Sequence, residues 1–305
     1  CAPCTDSLNE GCDSMSLMPS IVNGISMGAI YGLIAMGLTL IFGTMRVTNF
    51  AHGAFMMIAM MIAYTLWGLT GINPYLLIIL VGPLMFLFGY ATQMILIRPV
   101  LAAESDKNDP ISVLLLTAGL SIVLENLALM IFGADYRMAQ TSFSNATFTF
   151  GNVTLSAARF YGLIITLAIS VGLWIFLQKT ETGRQLRATG QDRNTAALMG
   201  INSERIFAIA FGIGTALLAV AGLVLLPFYY VSPSVGNVFQ TRAFIVVVLG
   251  GLGSVPGALV GGIIIGLIET IAAQFITASI TSVIIYLVFL VILFVKPSGL
   301  FGTEK

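Results

Sequence analysis

The sequence predicts an all-α polytopic membrane protein with about eight to ten transmembrane helices, some of them broken or re-entrant, and an internal repeat. Three observations predict it. Of 305 residues, 58% are hydrophobic and only 9% are charged, where a soluble protein carries about a quarter charged. Charged side chains belong mostly on surfaces, so a water-soluble globule could not be covered, and the mean hydropathy of +1.00 agrees. Apolar runs of the roughly 20 residues needed to cross a bilayer core recur along the chain. Finally, the 13 basic and 13 acidic residues are unevenly placed although the net charge is zero, and that zero removes the electrostatic footprint of a nucleic-acid binder.

The runs place spans at 20–43, 54–71, 74–97, 111–133, 159–178, 206–230, 241–252, 256–276 and 280–296. The seventh is short and glycine-rich (FIVVVLGGLG). It is expected to be a half-helix meeting the next span inside the membrane, which is tolerated only where protein or a cavity covers the backbone. Basic residues favour cytoplasmic loops. With the N-terminus outside, the inner loops hold Arg46, Arg98, Lys107, Lys179, Arg184, Arg187, Arg193, Arg205, Lys296 and Lys305, and the outer side only Arg137, Arg159 and Arg242. The opposite orientation would invert that bias, so the C-terminus is expected in the cytoplasm.

Ahead of the first span, residues 1–19 form a polar tail that holds all three cysteines, Cys1, Cys4 and Cys12. It is external, or an extension ahead of a start at Met15 or Met18. As cysteine chemistry it allows one disulfide plus a thiol, or a lipid-bearing Cys1. His52 is too far in sequence to complete a zinc set, and no metal site is expected. Between spans, residues 134–158 contain FTFGNVTLS, whose alternation and Gly-Asn turn predict a short external hairpin. Asn145 and Asn152 each open an N-x-T triplet there, common by chance.

Glycine supplies the packing signal. Gly24, Gly28 and Gly32 recur every fourth residue, as do the pairs Gly257/Gly261 and Gly262/Gly266, a spacing that lets helix backbones approach closely in lipid. Polar residues within spans tend to mark a pathway. The candidates are Glu125 with Asn126, Glu269, and the cluster Asn49, His52 and Gly53 where the chain re-enters the bilayer. The plainer readings put Glu269 near the cytoplasmic boundary, pair Glu125 with a neighbour on its own helix or keep it neutral, and let Asn49 and His52 satisfy backbone at a helix break. Turns at 51–58 and 255–262 look alike, and both breaks are expected to approach the path. No G-x-S-x-G elbow and no G-x-x-x-x-G-K-[ST] loop occurs in the sequence. No catalytic residue and no cofactor of its own are therefore expected. The residues do not read as those of an intramembrane enzyme.

Residues 179–204 form the one substantial polar insertion between spans. Asn194 or Thr195 can cap a turn of Ala196, Ala197, Leu198 and Met199 that Gly200 ends. This suits either a docking knob for a cytoplasmic partner or a solvated connector.

Five separated stretches resemble one family. GLTLIFGTMRVTNFAHG at 37–53, RPV at 98–100, GRQLRA at 183–188 with AALMGIN at 196–202, AFIVVVLGGLGSVPGALVGG at 243–262 and KPSGLFG at 296–302 are similar to motifs of branched-chain amino acid ABC transporter permeases, in order, across 20–302. The resemblance is to the first of the two permease types. It implies a second related permease, two cytoplasmic ATPases that hold ATP and Mg, an external substrate-binding protein, and a place in the bacterial inner membrane. It also implies a coupling loop within 179–204, represented by Gly183, Arg184, Arg187, Ala196, Ala197, Gly200 and Ile201. Ala54 follows Gly53, where family members often carry an acidic residue. The substrate therefore stays open among branched-chain and other neutral amino acids, urea or short amides, and aromatic acids. A self-sufficient channel or secondary transporter is the rival from another class.

Overall fold

The computed structural model describes residues 9–103, 111–139, 141, 146–150, 153–296 and 299–302. The readings at Cys1, Cys4, Lys107, Asn145, Asn152, Pro297, Ser298 and Lys305 lie outside the described residues. In chain order the elements are α1 (Asn9–Met45), α2 (His52–Thr70), α3 (Pro74–Thr92), α4 (Arg98–Ala103) and α5 (Ile111–Phe132), then β1 (Thr147–Phe150) and β2 (Val153–Ser156). There follow α6 (Ala157–Lys179), α7 (Glu181–Gln191), α8 (Arg193–Leu198), α9 (Ser203–Leu225), α10 (Val235–Gly250), α11 (Val255–Phe275) and α12 (Ala278–Val295). A single π-helical turn, Gln93–Ile97, joins α3 to α4. Among the described residues seven helices are long and apolar enough to cross a membrane, and α10 and α12 contribute shorter apolar stretches. The chain is an all-α polytopic membrane protein with one small antiparallel hairpin, in which Thr147 faces Ser156 and Phe150 faces Val153.

Close helix contact organises the bundle. α1 and α9 lie at its centre, with 83% of the most apolar stretch buried in each, against 11% in α5. α1 runs antiparallel to α11. A Cβ on Gly28 would stand 2.6 Å from the Ile263 Cα and 2.7 Å from the Gly262 carbonyl oxygen, and one on Gly32 would stand 3.0 Å from the Leu259 Cα. Glycine here serves as absence of bulk: without a hydrophobic drive between helices, association rests on how closely backbones pack. The two glycine pairs of α11 serve different neighbours. Gly262 and Gly266 meet α1, whereas Gly257 and Gly261 meet Gly250 and Val246 of α10.

Three spans differ from expectation at their ends. The tail expected over 1–19 is helical from Asn9. The span expected to reach 230 ends at Leu225; Pro227 follows, and it can neither donate to a helix ladder nor extend one. The seventh span starts at Val235 rather than 241. Its first turns carry Gly236, Asn237 and Gln240, which conceal a helix from a hydropathy count. At 16 residues it extends about 24 Å, short of the roughly 30 Å hydrocarbon core.

The break after α10 is built on glycines with left-handed backbones, Gly251 (φ 98°) and Gly253 (φ 88°), a region open to glycine without strain. The chain end covers it. Leu300 donates its N–H to the Leu249 carbonyl at 2.8 Å and Phe301 to that of Gly250 at 3.2 Å, satisfying carbonyls that a helix C-terminus leaves bare.

Candidate functional site

Two regions carry the sequence-predicted residues, a platform packed on the end of α1 and a set of polar side chains within the bundle. The first is the platform α7–α8. Thr180 caps α7 by accepting the Gly183 N–H at 3.0 Å. Gly183 is buried, and a Cβ there would stand 2.6 Å from the Leu177 Cα, so it seats α7 directly on the end of α6. Leu186 is buried, while Arg184 and Arg187 are exposed, the latter donating to the Gln178 Oε1 at 2.9 Å. Gly190 lies against the Gly43 carbonyl at the end of α1. Between this platform and the bundle is a cavity of about 490 Å³ lined by Thr39, Arg46, Trp174, Arg187 and Phe301 among others.

The cap of α8 is Asp192, not Asn194 or Thr195. Its Oδ1 accepts the N–H groups of Asn194 at 2.8 Å and Thr195 at 3.2 Å, and its Oδ2 accepts the Thr195 hydroxyl at 2.6 Å. Those two residues sit where an N-cap's donors lie, which is why they follow the cap instead of being it. The Thr195 hydroxyl, then the backbone amides of Thr195 and Asn194, hold the Asp192 carboxyl below its usual range. A depressed folded-state value means that this stabilisation is present above the unfolded aspartate range and is lost as pH falls through the folded value. The protection factors of the amides in residues 193–200, taken against the intrinsic exchange rate at each pH, are therefore expected to fall on acidification in the native chain and to be lower, without that acid step, in Asp192→Ala. Identical pH profiles for the two would contradict the cap.

α8 ends at Gly200, whose φ is 82°; the Ile201 N–H returns to the Ala196 carbonyl at 3.1 Å. Ala196 is buried and Ile201 half-buried, whereas Ala197 and Gly200 are exposed. Leu198 and Met199 are 87% and 79% exposed. These two apolar side chains form the tip of the platform, and the sequence reading did not single them out. Their signal was present in the AALM run, whose apolar residues cannot all face the bundle in so short a helix.

At the second region the predicted residues separate. Asn49, His52 and Gly53 are buried together where α1 gives way to α2. The Asn49 Oδ1 accepts the Ala51 N–H at 3.0 Å, and the His52 Nε2 donates to the Ile34 carbonyl at 2.9 Å. Gln240 of α10 bridges them, accepting the Gly53 N–H and donating to the Asn49 carbonyl. The cluster thus satisfies backbone at a break, and Gly53 lets α2 touch Gly236 of α10. Glu125 is hydrogen-bonded to the side chain of Asn237 on α10, not to a neighbour on α5. Asn126 is exposed and donates to the Ile122 carbonyl at 2.8 Å.

Glu269 of α11 has its partner on α10. It pairs with Arg242 through Nη2–Oε1 at 2.5 Å and Nε–Oε2 at 3.3 Å. Because Gly24 of α1 meets Thr270 of α11, while Gly43 meets Gly253 and Gly190, Glu269 lies at the end away from the platform. Hydropathy alone does not reveal which end of a helix a carboxylate occupies; the antiparallel pairing with α1 does.

A bundle of apolar helices with an internal break, buried polar links and a protruding platform is the architecture of a multi-pass membrane protein. The chain belongs to the family described as branched-chain amino acid transport system / permease component, which it matches over residues 20–293. It is similar to the high-affinity branched-chain amino acid transport system permease protein LivH of Escherichia coli (strain K12), 31% identical over 94% of this chain and 96% of the relative. BraD, the corresponding permease protein of Pseudomonas aeruginosa, is likewise 31% identical, with 94% and 96% coverage. No solved structure matches the chain significantly.

Proposed function

We propose that this chain is the transmembrane permease subunit of an ATP-driven importer for branched-chain or similar small neutral amino acids. It works with a second related permease, two cytoplasmic ATPases that hold ATP and Mg, and an external protein that delivers substrate. The carrying observation is the exposed apolar tip Ala197–Leu198–Met199 on a platform seated against α1 and α6, in a chain of this family. Lys179, Arg184, Arg187, Arg193 and Arg205 accompany that platform in sequence, Arg46 lines the cavity beneath it and Arg98 pairs with Glu204 just after it, and this supports a cytoplasmic position for it. The N-terminus is then external and the membrane is the bacterial inner membrane. When nucleotide draws the ATPases together, the platforms move with them and the helices switch the side to which the path opens. The permease needs only different contacts in the two states.

Reconstitution tests this. Vesicles containing this chain, its partner permease, the ATPases and the loaded binding protein are expected to accumulate leucine only with ATP. Equal accumulation by the permeases alone would instead establish a self-sufficient carrier. Preference of the complete system for urea or an aromatic acid would replace the substrate and leave the mechanism standing.

A further inference from the structure

The open face of α10 is polar where neighbouring helices are apolar. Asn237 and Thr241 are exposed, and Arg242 is half-buried beside them. Asn237 reaches Glu125 of α5, Arg242 reaches Glu269 of α11, and the Arg242 guanidinium lies 5.5 Å from the Tyr31 ring centre on α1. Ionisable side chains in a membrane span are expensive against lipid and characteristically face a bundle interior or a water-filled path. This face therefore meets water or the second permease in the assembled transporter.

Beside Arg242, between α10 and α12, lies a cavity of about 250 Å³. Arg242, Thr241, Ser282 and Tyr286 supply its polar side, and Val238, Ile245 and Ile285 its aliphatic side. Its size falls below the ~300–1,000 Å³ of sites for drug-sized ligands, which suits a single amino acid. A guanidinium carries five N–H donors, of which Glu269 engages two. The Thr241 hydroxyl donates to the Asn237 carbonyl at 3.0 Å, which leaves its oxygen able to accept.

We infer that this cavity is a station on the translocation path that holds an aliphatic amino acid as its zwitterion. Arg242 takes the carboxylate, the hydroxyl oxygens of Thr241 and Tyr286 accept from the ammonium, and the branched side chain rests on Val238, Ile245 and Ile285. Glu269 fixes the guanidinium and offsets its charge, so the carboxylate is held weakly enough to leave, as transport requires. A zwitterion is neutral overall, as is the Arg242–Glu269 pair, and lies against it without leaving net charge in the membrane. A lone anion or cation would. The inference rests on the importer reading above.

The test uses the complete importer in vesicles, with leucine and alanine as probes. Val238→Phe narrows the aliphatic side, so leucine uptake is expected to fall about tenfold and alanine uptake no more than about twofold. Arg242→Gln is expected to lower both about tenfold or more, and uptake of both within about twofold of wild type in an assembled Arg242→Gln importer would overturn the station. A lost structural contact would not separate leucine from alanine. Where Arg242→Gln does not assemble, Val238→Cys in a chain with Cys1, Cys4 and Cys12 replaced by Ser gives a second readout. Leucine at about 20 mM, saturating for a millimolar site, is expected to slow thiol labelling at that position, and isovalerate or isoamylamine is not. Leucine and alanine affected alike by Val238→Phe, or labelling indifferent to leucine, overturns the station. Failure of the wild-type importer to carry leucine with ATP strikes the importer reading instead.

Discussion

Gly262→Ile is expected to prevent stable assembly of the bundle. A Cβ at Gly262 would stand 2.5 Å from the Gly32 Cα and 2.6 Å from the Gly28 carbonyl oxygen. Both obstacles are backbone, so no side chain can swing away, and α1 and α11 must separate. α1 is also the most enclosed helix together with α9, and its displacement disturbs its contacts with α9 and α10. Overpacking of an ordinary core costs about 1–3 kcal/mol; two facing backbones put this site at about 3 kcal/mol or beyond by the same reasoning. Gly172→Leu supplies the comparison, because a Cβ there meets nothing within 4 Å and Gly172 is exposed on α6. Thermal unfolding and the monodisperse fraction in detergent should fall steeply for Gly262→Ile and hardly change for Gly172→Leu. Equal behaviour of the two variants would show that the seam tolerates separation.

The same seam shows what can and cannot be read from sequence. The four-residue spacing of Gly24, Gly28 and Gly32 announces a close helix contact, but not its partner. The two pairs on α11 look equivalent in sequence and face different helices, since one-residue steps on a helix turn the side chain by about 100°. Apolar runs reveal most spans because lipid demands a minimum apolar length. α10 escapes that rule in its first half, where Asn237, Gln240 and Arg242 interrupt it; their partners Glu125, Asn49 and Glu269 lie on distant stretches of chain. Periodicity carries no information about such long-range pairing. The platform is legible for the opposite reason. Its caps and glycine stops are local, so only the identity of the capping residue and the direction of Leu198 and Met199 needed the structure.

The pair Leu198→Asp and Met199→Asp, made together, is expected to abolish ATP-driven transport while leaving the chain inserted and folded. Both side chains are almost fully exposed, so the isolated bundle loses no packing when they change. Covered by a partner, each would contribute about 1.5–3 kcal/mol through apolar burial, and fully desolvated apolar anchors carry most of an interface's energy. Placing two carboxylates there removes that contribution and adds a desolvation penalty, because a buried charge without a partner is strongly unfavourable. Retention of the ATPases on the purified permease should fall at least about a hundredfold by the same arithmetic, where each 1.4 kcal/mol is tenfold. Gly200→Val approaches the same platform through the backbone. With φ at 82° a branched residue strains the turn by about 1–2 kcal/mol and tilts the tip, so ATPases should still bind while hydrolysis and leucine uptake come apart. Uptake at wild-type rates in the double aspartate variant would remove the tip from the coupling path and return 179–204 to the role of a solvated connector. Uptake lost together with membrane insertion would mean that the tip packs within this chain, which the exposure of Leu198 and Met199 opposes.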